Sequence, residues 1–180
     1  MRILKEESAG LVIDIQERLF PHIHQNDALL NKVEILLEGW RILEIPVLAT
    51  EQYKKGLGDT LEAVRTRIPA WRAVEKKAFS CCDEPEFASS LVRSGKTNVI
   101  ICGIETHVCV LQTTLDLLNT GYQPVVVTDA VSSRYPADKE VALGRMQKEG
   151  AILTTVESIL FELARVSGTE SFKAISRLVK

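Results

Sequence analysis

Three side chains with complementary chemistry follow apolar runs in this sequence: the carboxylate of Asp14, the ammonium of Lys76 and the thiol of Cys109. Cysteine attacks as the thiolate, and its free pKa of about 8.5 falls beside a cation or at a helix N-terminus. Lys76 would supply the cation, and Asp14 would take the thiol proton and pass it to a leaving amine. Together they are typical of a nucleophile, a base and an orienting group. The alternative is that Cys109 is a small buried residue, because Asp and Lys are common at strand ends.

The elements that position these side chains alternate between short β-rich runs and amphipathic helices. We expect strands at 9–14, 45–50, 72–76, 97–104, 124–130 and 151–155. We expect helices at 26–44, 59–68, 84–95, 107–121, 137–150, 156–164 and 170–180. This alternation predicts a three-layer α/β fold with a six-stranded parallel sheet and helices on both faces. Ligands bind beyond the carboxyl ends of such strands. The residues at those ends are Asp14, Glu51, Tyr53, Lys76, 105–109 and Asp129.

Composition and charge exclude several classes of protein. The formal net charge is −2, so no basic field favours nucleic acid or an anionic membrane. No apolar run approaches the roughly 18 residues of a membrane span, and the N-terminus lacks a signal-peptide core, so we expect a cytoplasmic protein. The cysteines at 81, 82, 102 and 109 lack zinc spacing, and we interpret them as free thiols with no metal site.

Five segments in order carry a family resemblance: "LVIDIQERLF", "PVLATEQYKKGLGDT", "EKKAFSCCDEPEF", "VIICGIETHVCVLQTTLDLL" and "VVVTDAVSSR". The chain resembles the isochorismatase-like cysteine hydrolases, specifically the small isochorismatase-domain-containing proteins. The resemblance implies a catalytic triad of Asp14, Lys76 and Cys109. Lys77 is the alternative to Lys76 as the triad lysine. If residues 72–76 are extended, neighbouring side chains point to opposite faces, so only one of the two lysines can belong to the triad. We expect one domain over 1–180 and the strand order 3-2-1-4-5-6.

The resemblance also implies a mechanism. A cis peptide at Ile104–Glu105 would turn the backbone N–H groups of Glu105 and Cys109 toward an oxyanion. Cys109 would attack a small amide or related carbonyl compound and form a thioester, with no cofactor. The segment "TEQYKKGLG" has no histidine, which argues against a metal-assisted nicotinamidase. Isochorismatases that cleave a vinyl ether do not need the cysteine, so Cys109 favours acyl transfer. A homo-oligomer is implied, for which the apolar C-terminal helices could supply an interface.

The expected substrate-binding residues are those that surround these groups in the sequence: Gln16, Phe20, Tyr53, Phe79, Thr106 and His107. Gln16 could orient the substrate or satisfy loop backbone, and the aromatic residues could line a pocket or belong to the core. His107 is a candidate base, pocket wall or interface residue. Glu105 stands where amidase relatives often have a small residue, so it either crowds the pocket or points away.

Two other functions remain open from the sequence. The chain could be a catalytically silent binding or scaffold protein that keeps the fold. It could also be a thiol redox sensor that pairs Cys109 with Cys81 or Cys82. The first predicts a closed pocket and an unreactive Cys109 at neutral pH, and the second predicts a reversible disulfide.

Overall fold

A parallel β-sheet forms the centre of the protein, which we describe over residues 2–180 of a computed structural model. The six strands are β1 (Ser8–Ile13), β2 (Val47–Gln52), β3 (Val74–Lys76), β4 (Asn98–Ile104), β5 (Gln123–Ser132) and β6 (Ile152–Thr154). Their order is β3-β2-β1-β4-β5-β6, and every pairing is parallel. This confirms the predicted sheet and its strand order. The order reverses between β1 and β4, so the carboxyl ends of these two strands flank a crevice.

Helices cover both faces of the sheet. The α-helices are α1 (Asn26–Leu43), α2 (Lys54–Leu57), α3 (Glu62–Arg65), α4 (Pro85–Ser94), α5 (Leu111–Asn119), α6 (Pro136–Glu149), α7 (Val156–Ala164) and α8 (Glu170–Leu178). Short 3₁₀ turns lie at Lys5–Glu7, Phe20–His22 and Cys81–Asp83, and a π-helical turn at Thr106–Val110 leads into α5. Helices α1, α7 and α8 pack on one face, and α4, α5 and α6 pack on the other.

The strands divide their side chains between two cores. Val12 of β1 and Ile100 of β4 join the core under α1, whereas their neighbours Leu11 and Ile101 join the core under α4 to α6. Alternate strand residues point to opposite faces, so a sheet covered on both sides requires a continuous apolar run. This is why β4, with the sequence "NVIICGI", is buried throughout.

Several predicted boundaries were wrong. Strand β2 begins and ends two residues later than the predicted 45–50, because its residues 50–52 pair with β3. The helix predicted at 59–68 is a single turn, α3, and α2 was missed because its four residues carry too little periodicity. Strand β5 continues to Ser132 after a register shift against β4.

The apolar faces of the C-terminal helices are covered within the chain. Ile159 and Leu160 of α7 and Ile175 of α8 are fully buried in the core with α1. These side chains are therefore not available as the subunit interface that the sequence suggested. No helix within residues 2–180 is long and apolar enough to cross a membrane.

Candidate active site

Asp14 lies directly after β1 and is fully buried. Its Oδ2 accepts a hydrogen bond from Lys76 Nζ at 2.7 Å, and its Oδ1 accepts one from the Thr50 hydroxyl at 2.8 Å. Its φ of 53° lies in the left-handed region, which is uncommon for a residue other than glycine. The strand end and two hydrogen bonds therefore hold this carboxylate in one orientation.

Lys76 is the last residue of β3, and its side chain is as buried as that of Asp14. Its Nζ also donates to Gln52 Oε1 at 2.6 Å and to the carbonyl oxygens of Ala78 and Phe79 at 3.3 and 3.1 Å. Burial is the largest single effect on the pKa of Lys76 and opposes its charge. The charge of Asp14, the neighbouring Cys81 and Cys109, and the hydrogen bond to Asp14 act the other way and together raise this pKa. The neighbouring Lys77 is exposed. The structure thus places Lys76, and not Lys77, against the carboxylate.

Cys109 lies in the π-helical turn after β4 and is only 6% exposed. Burial raises the pKa of its thiol, the charge of Asp14 raises it further, and Lys76 only partly offsets both effects. The sequence suggested that the helix N-terminus and the lysine would leave this pKa lowered. Lys76 does lower it, but the net shift is upward, contrary to that expectation. The reason is that an anion and a dry environment both disfavour a thiolate. The surroundings of Cys109 therefore favour its thiol form over the thiolate.

A second thiol, Cys81, also lies next to this pair. Its Sγ is 3.6 Å from Thr50 Oγ1, and its backbone N–H donates to Thr113 Oγ1 at 2.9 Å. Burial, and then the charge of Asp14, raise its pKa to about 12. From the sequence we interpreted Cys81 only as a free thiol and as a possible redox partner of Cys109. Nothing in its own segment shows that the segment folds back onto β2.

Thr50 and Gln52 were also missed as site residues. Both belong to the segment "ATEQY", in which we expected Glu51 and Tyr53 at the strand end instead. Residues two apart on a strand share a face, and this spacing places Thr50 and Gln52 on the side of Asp14 and Lys76. Glu51 instead binds the segment after α2, since its Oε1 accepts hydrogen bonds from the backbone and hydroxyl of Thr60, both at 2.9 Å.

The peptide bond between Ile104 and Glu105 is cis. The carbonyl oxygen of Glu105 accepts hydrogen bonds from Val108 N–H and Val110 N–H at 3.1 and 3.2 Å. Its carboxylate points away from Asp14, toward the loop after β5. There Oε2 accepts from the backbone N–H of Arg134 at 3.0 Å and from its Nε at 3.2 Å. Of the two placements left open for Glu105, the structure shows the one that points away.

His107 faces the same loop. Its Nδ1 is 2.9 Å from Ser133 Oγ, and its Nε2 is 3.8 Å from Asp138 Oδ2. Thr106 is fully buried, and its hydroxyl has no hydrogen-bond partner among the residues described. The turn that carries Cys109 is therefore attached by Glu105 and His107 to the loop between β5 and α6.

The other expected binding residues do not all meet at Cys109. Gln16 is buried, its amide donates to the carbonyl oxygens of Gln52 and Gly58, and its Oε1 accepts from Gln52 N–H. These bonds match its loop-satisfying role. Phe20 is buried in the core beneath α1. Tyr53 and Phe79 are 46% and 53% exposed. The backbone N–H of Tyr53 donates to the carbonyl oxygen of Lys76, and the carbonyl oxygen of Phe79 accepts from Lys76 Nζ.

Asp129, near the end of β5, lies apart from the thiol. Its Oδ1 accepts from the N–H of Val156 at the start of α7, and its Oδ2 pairs with Lys32 at 3.5 Å. Asp129 therefore caps a helix and does not join the site. Across residues 2–180, no three His, Cys, Asp or Glu side chains group as metal ligands would.

A sequence profile, described as the isochorismatase domain, matches residues 8–158. The chain belongs to the isochorismatase family. The mouse isochorismatase domain-containing protein 2A is 40% identical over 180 residues, which cover 99% of this chain and 85% of that protein.

Two solved structures extend the comparison to the fold. One is that of the MAR1 ribonuclease from Caenorhabditis elegans, 40% identical with a TM-score of 0.92 over 99% of this chain and 92% of that one. The other is YcaC from Pseudomonas aeruginosa with hexane-2,5-diol and covalent acrylamide. It is 29% identical with a TM-score of 0.91 over 97% and 89% of the two chains. These similarities support an isochorismatase-like hydrolase.

Proposed function

We propose that this protein is a cysteine hydrolase that cleaves a small amide or a related carbonyl compound. The observation that carries the proposal is the fully buried ion pair of Asp14 and Lys76 beside the thiol of Cys109. A buried ion pair is costly to form and is weak support for stability alone. Its place at the strand-order reversal, next to a nucleophile, argues for chemistry.

The first half of the reaction forms a thioester. The Cys109 proton passes to Asp14 as the sulfur attacks the carbonyl carbon, because the thiol is not ionised beforehand. Backbone N–H groups of Glu105 and Cys109 hold the oxyanion. Asp14 then returns the proton to the leaving nitrogen, the C–N bond breaks and the amine departs.

The second half releases the acid. Asp14 takes a proton from water, whose oxygen attacks the thioester carbon, and the C–S bond breaks as Asp14 reprotonates Cys109. Lys76 remains an ammonium throughout, held by its acceptors, and keeps Asp14 a carboxylate between steps. No step needs a cofactor.

The substrate enters, in this proposal, past the exposed rings of Tyr53 and Phe79, with Thr106 as a hydroxyl partner inside. The loop after β5 occupies Glu105 and His107, so neither is assigned to the substrate. Among residues 2–180, Asp14 and Lys76 are then the charged side chains that we assign to the site, and their opposite charges cancel. This favours an uncharged amide over a charged one.

The deciding experiment compares Cys109→Ala with Cys102→Ala. Cys102 is a buried cysteine within β4, and its substitution controls for the loss of a thiol. A panel of small amides should be hydrolysed by the wild type and by Cys102→Ala, but not by Cys109→Ala. Full turnover by Cys109→Ala would overturn the mechanism. Acrylamide, found covalently bound in the Pseudomonas aeruginosa YcaC structure, is a suitable probe: mass spectrometry should show one adduct, on Cys109.

A catalytically silent binding protein is the second candidate. The observations in its favour are the burial of Cys109 and the raised pKa of its thiol. This hypothesis predicts no adduct with acrylamide at neutral pH and no turnover of any amide, together with a measurable affinity for one of them. A single adduct at Cys109 with turnover would exclude it.

The redox-sensor hypothesis has less support in the structure. Burial raises the pKa of Cys109, of Cys81 to about 12 and of Cys82 to about 11, and oxidation by peroxide follows thiolate character and exposure. The ribonuclease name belongs to the nematode protein. For this chain, with a net charge of −2, we propose a small-molecule substrate and not RNA.

We also propose that the protein is a homo-oligomer. Tyr135, which directly precedes α6, and Val141, within α6, are 67% and 73% exposed, so they are more suitable apolar contact residues than the covered side chains of the C-terminal helices. Light scattering coupled to size-exclusion chromatography should give a mass above that of one chain. A Tyr135→Ser, Val141→Ser double variant should lower that mass, and a wild-type monomer would contradict the proposal.

A further inference from the structure

We propose that Thr50 and Cys81 are positioning residues that orient the Asp14 carboxylate for proton transfer with Cys109. The inference rests on the proposed hydrolase function and adds two side chains to it. Both are buried, and their side-chain hydrogen bonds run to Asp14 and to each other. They therefore act on the base and not on a substrate bound to the Cys109 sulfur.

The direction of the hydrogen bonds follows from proton counting. Asp14 already accepts from an ammonium and is a carboxylate, so it can only accept from Thr50. A hydroxyl has one proton, which Thr50 uses on Asp14 Oδ1 at 2.8 Å. The contact at 3.6 Å between Thr50 Oγ1 and Cys81 Sγ must then run from the thiol to the hydroxyl oxygen. The result is a chain from Cys81 through Thr50 to Asp14.

This chain controls rotation of the carboxylate. Lys76 binds Oδ2 and Thr50 binds Oδ1, from β3 and β2 respectively, so the carboxylate plane is defined from two sides. Without the hydroxyl, a single ammonium could be satisfied by either oxygen. A proton transfer needs the base within hydrogen-bond reach in the correct geometry, which is what the second bond secures.

Cys81 connects this chain to the helix of the nucleophile. Its backbone N–H donates to Thr113 Oγ1 at 2.9 Å, and Thr113 lies on α5, four residues after Cys109. Both side chains are fully buried, so the link is shielded from competing water. A continuous series of contacts through Thr50, Cys81 and Thr113 thus connects Asp14 to the helix that follows Cys109, and it helps to fix the distance between the two groups.

The test uses paired variants that remove or keep each donor. Thr50→Val and Thr50→Ala remove the hydroxyl, and Thr50→Ser keeps it. Cys81→Ala removes the thiol, and Cys81→Ser keeps a donor. We expect Thr50→Val to lower kcat by about 10- to 100-fold with KM changed less than about twofold, and Thr50→Ser to restore most of it. Cys81→Ala should lower kcat less than Thr50→Val does, and Cys81→Ser should have a kcat close to that of the wild type.

A pH profile separates positioning from a structural defect. Loss of the Thr50 hydroxyl removes a donor to the Asp14 anion, so the acidic limb of kcat/KM should move to higher pH than in the wild type. A role in packing alone would change the melting temperature without moving the limb. If Thr50→Val does not fold, Thr50→Ala serves, since it also lacks the hydroxyl. Wild-type kcat with an unmoved limb, or equal losses in Thr50→Val and Thr50→Ser, would overturn the proposal.

Acrylamide labelling of Cys109 makes this test independent of any substrate. With its donor removed, more of the Asp14 charge acts on the thiol, so the labelling profile of Thr50→Val should shift to higher pH and that of Thr50→Ser should not. An unshifted profile contradicts the positioning role even if turnover is never found. Turnover that persists in Cys109→Ala would instead refute the hydrolase mechanism and leave the labelling result standing.

Discussion

Lys76 Nζ lies 2.7 Å from Asp14 Oδ2, and neither side chain is exposed to solvent. The two charges meet from non-adjacent strands, β1 and β3, on either side of β2. Each charge is stable in the interior only because the other is present, since removing one partner leaves an uncompensated buried ion. The pair is therefore at once a stability element and the electrostatic setting of Cys109.

Replacing Lys76 should cost both stability and activity. In Lys76→Met the carboxylate of Asp14 loses its counter-charge, and the free energy of unfolding should fall by about 3–5 kcal/mol. Lys77→Met is the matched control, because that neighbour is exposed and should change little. Urea denaturation and amide turnover measure the two effects. Equal losses in both variants would show that the choice between the two lysines is wrong.

Replacing Asp14 should uncouple thiol reactivity from turnover. The charge of Asp14 raises the pKa of Cys109, and the charge of Lys76 lowers it. Asp14→Asn therefore removes the charge that disfavours the thiolate and keeps the charge that favours it. More thiolate should be present at pH 7, and acrylamide labelling should accelerate by roughly tenfold. Turnover should fall at least about 100-fold because the base is gone. Slower labelling in a folded Asp14→Asn variant would contradict this electrostatic account.

The wild-type labelling profile gives the corresponding pH dependence. Because the folded pKa of Cys109 is raised above the ordinary value of a cysteine thiol, the thiolate fraction should still be increasing beyond pH 9. The labelling rate should then climb about tenfold per pH unit without a plateau below that pH. A plateau near neutral pH would show that the thiolate is already formed.

The link between Glu105 and Arg134 should stabilise the turn that carries Cys109. Glu105 is nearly buried, so Arg134→Ala leaves its carboxylate with one backbone donor and should cost about 1–2 kcal/mol. That corresponds to a fall of roughly 2–8 °C in melting temperature for a chain of this size. The exposed pair of Glu38 and Arg41 is the control, and Arg41→Ala should not move the melting curve. Equal shifts in melting temperature for the two variants would mean that the burial of Glu105 does not make its ion pair more stabilising than an exposed one.

Gly103 should tolerate no side chain. It lies in β4 with φ at 135°, and a Cβ there would stand 2.2 Å from the carbonyl oxygen of Ile13 on β1. Gly103→Ala should therefore destabilise the protein by more than about 3 kcal/mol or prevent folding. Gly121→Ala is the control, because the φ of Gly121 is 85° but no atom lies within 4 Å of the added Cβ. We expect this variant to lower the free energy of unfolding by about 1 kcal/mol. Similar losses would show that only the backbone angle matters.

Much of the fold was predictable because it depends on local patterns. Continuous apolar runs such as "NVIIC" predicted buried parallel strands, and the carboxyl ends of those strands selected Asp14, Lys76 and Cys109. The failures were local too: α2 and α3 are single turns, too short for periodicity to register. The boundary of β2 depended on its partner strand and not on its own residues.

The sequence by itself determined the layers of this protein, the order of its motifs and the strand ends at which chemistry is possible. Only the tertiary structure decided that Lys76 and not Lys77 faces Asp14, that Glu105 turns away to Arg134, and that Cys81 and Thr50 adjoin the carboxylate. It also decided that burial and the charge of Asp14 raise the pKa of Cys109. The physical reason is that apolar periodicity acts over a few neighbours, whereas burial, charge and hydrogen-bond direction at one atom are sums over residues distant in the chain.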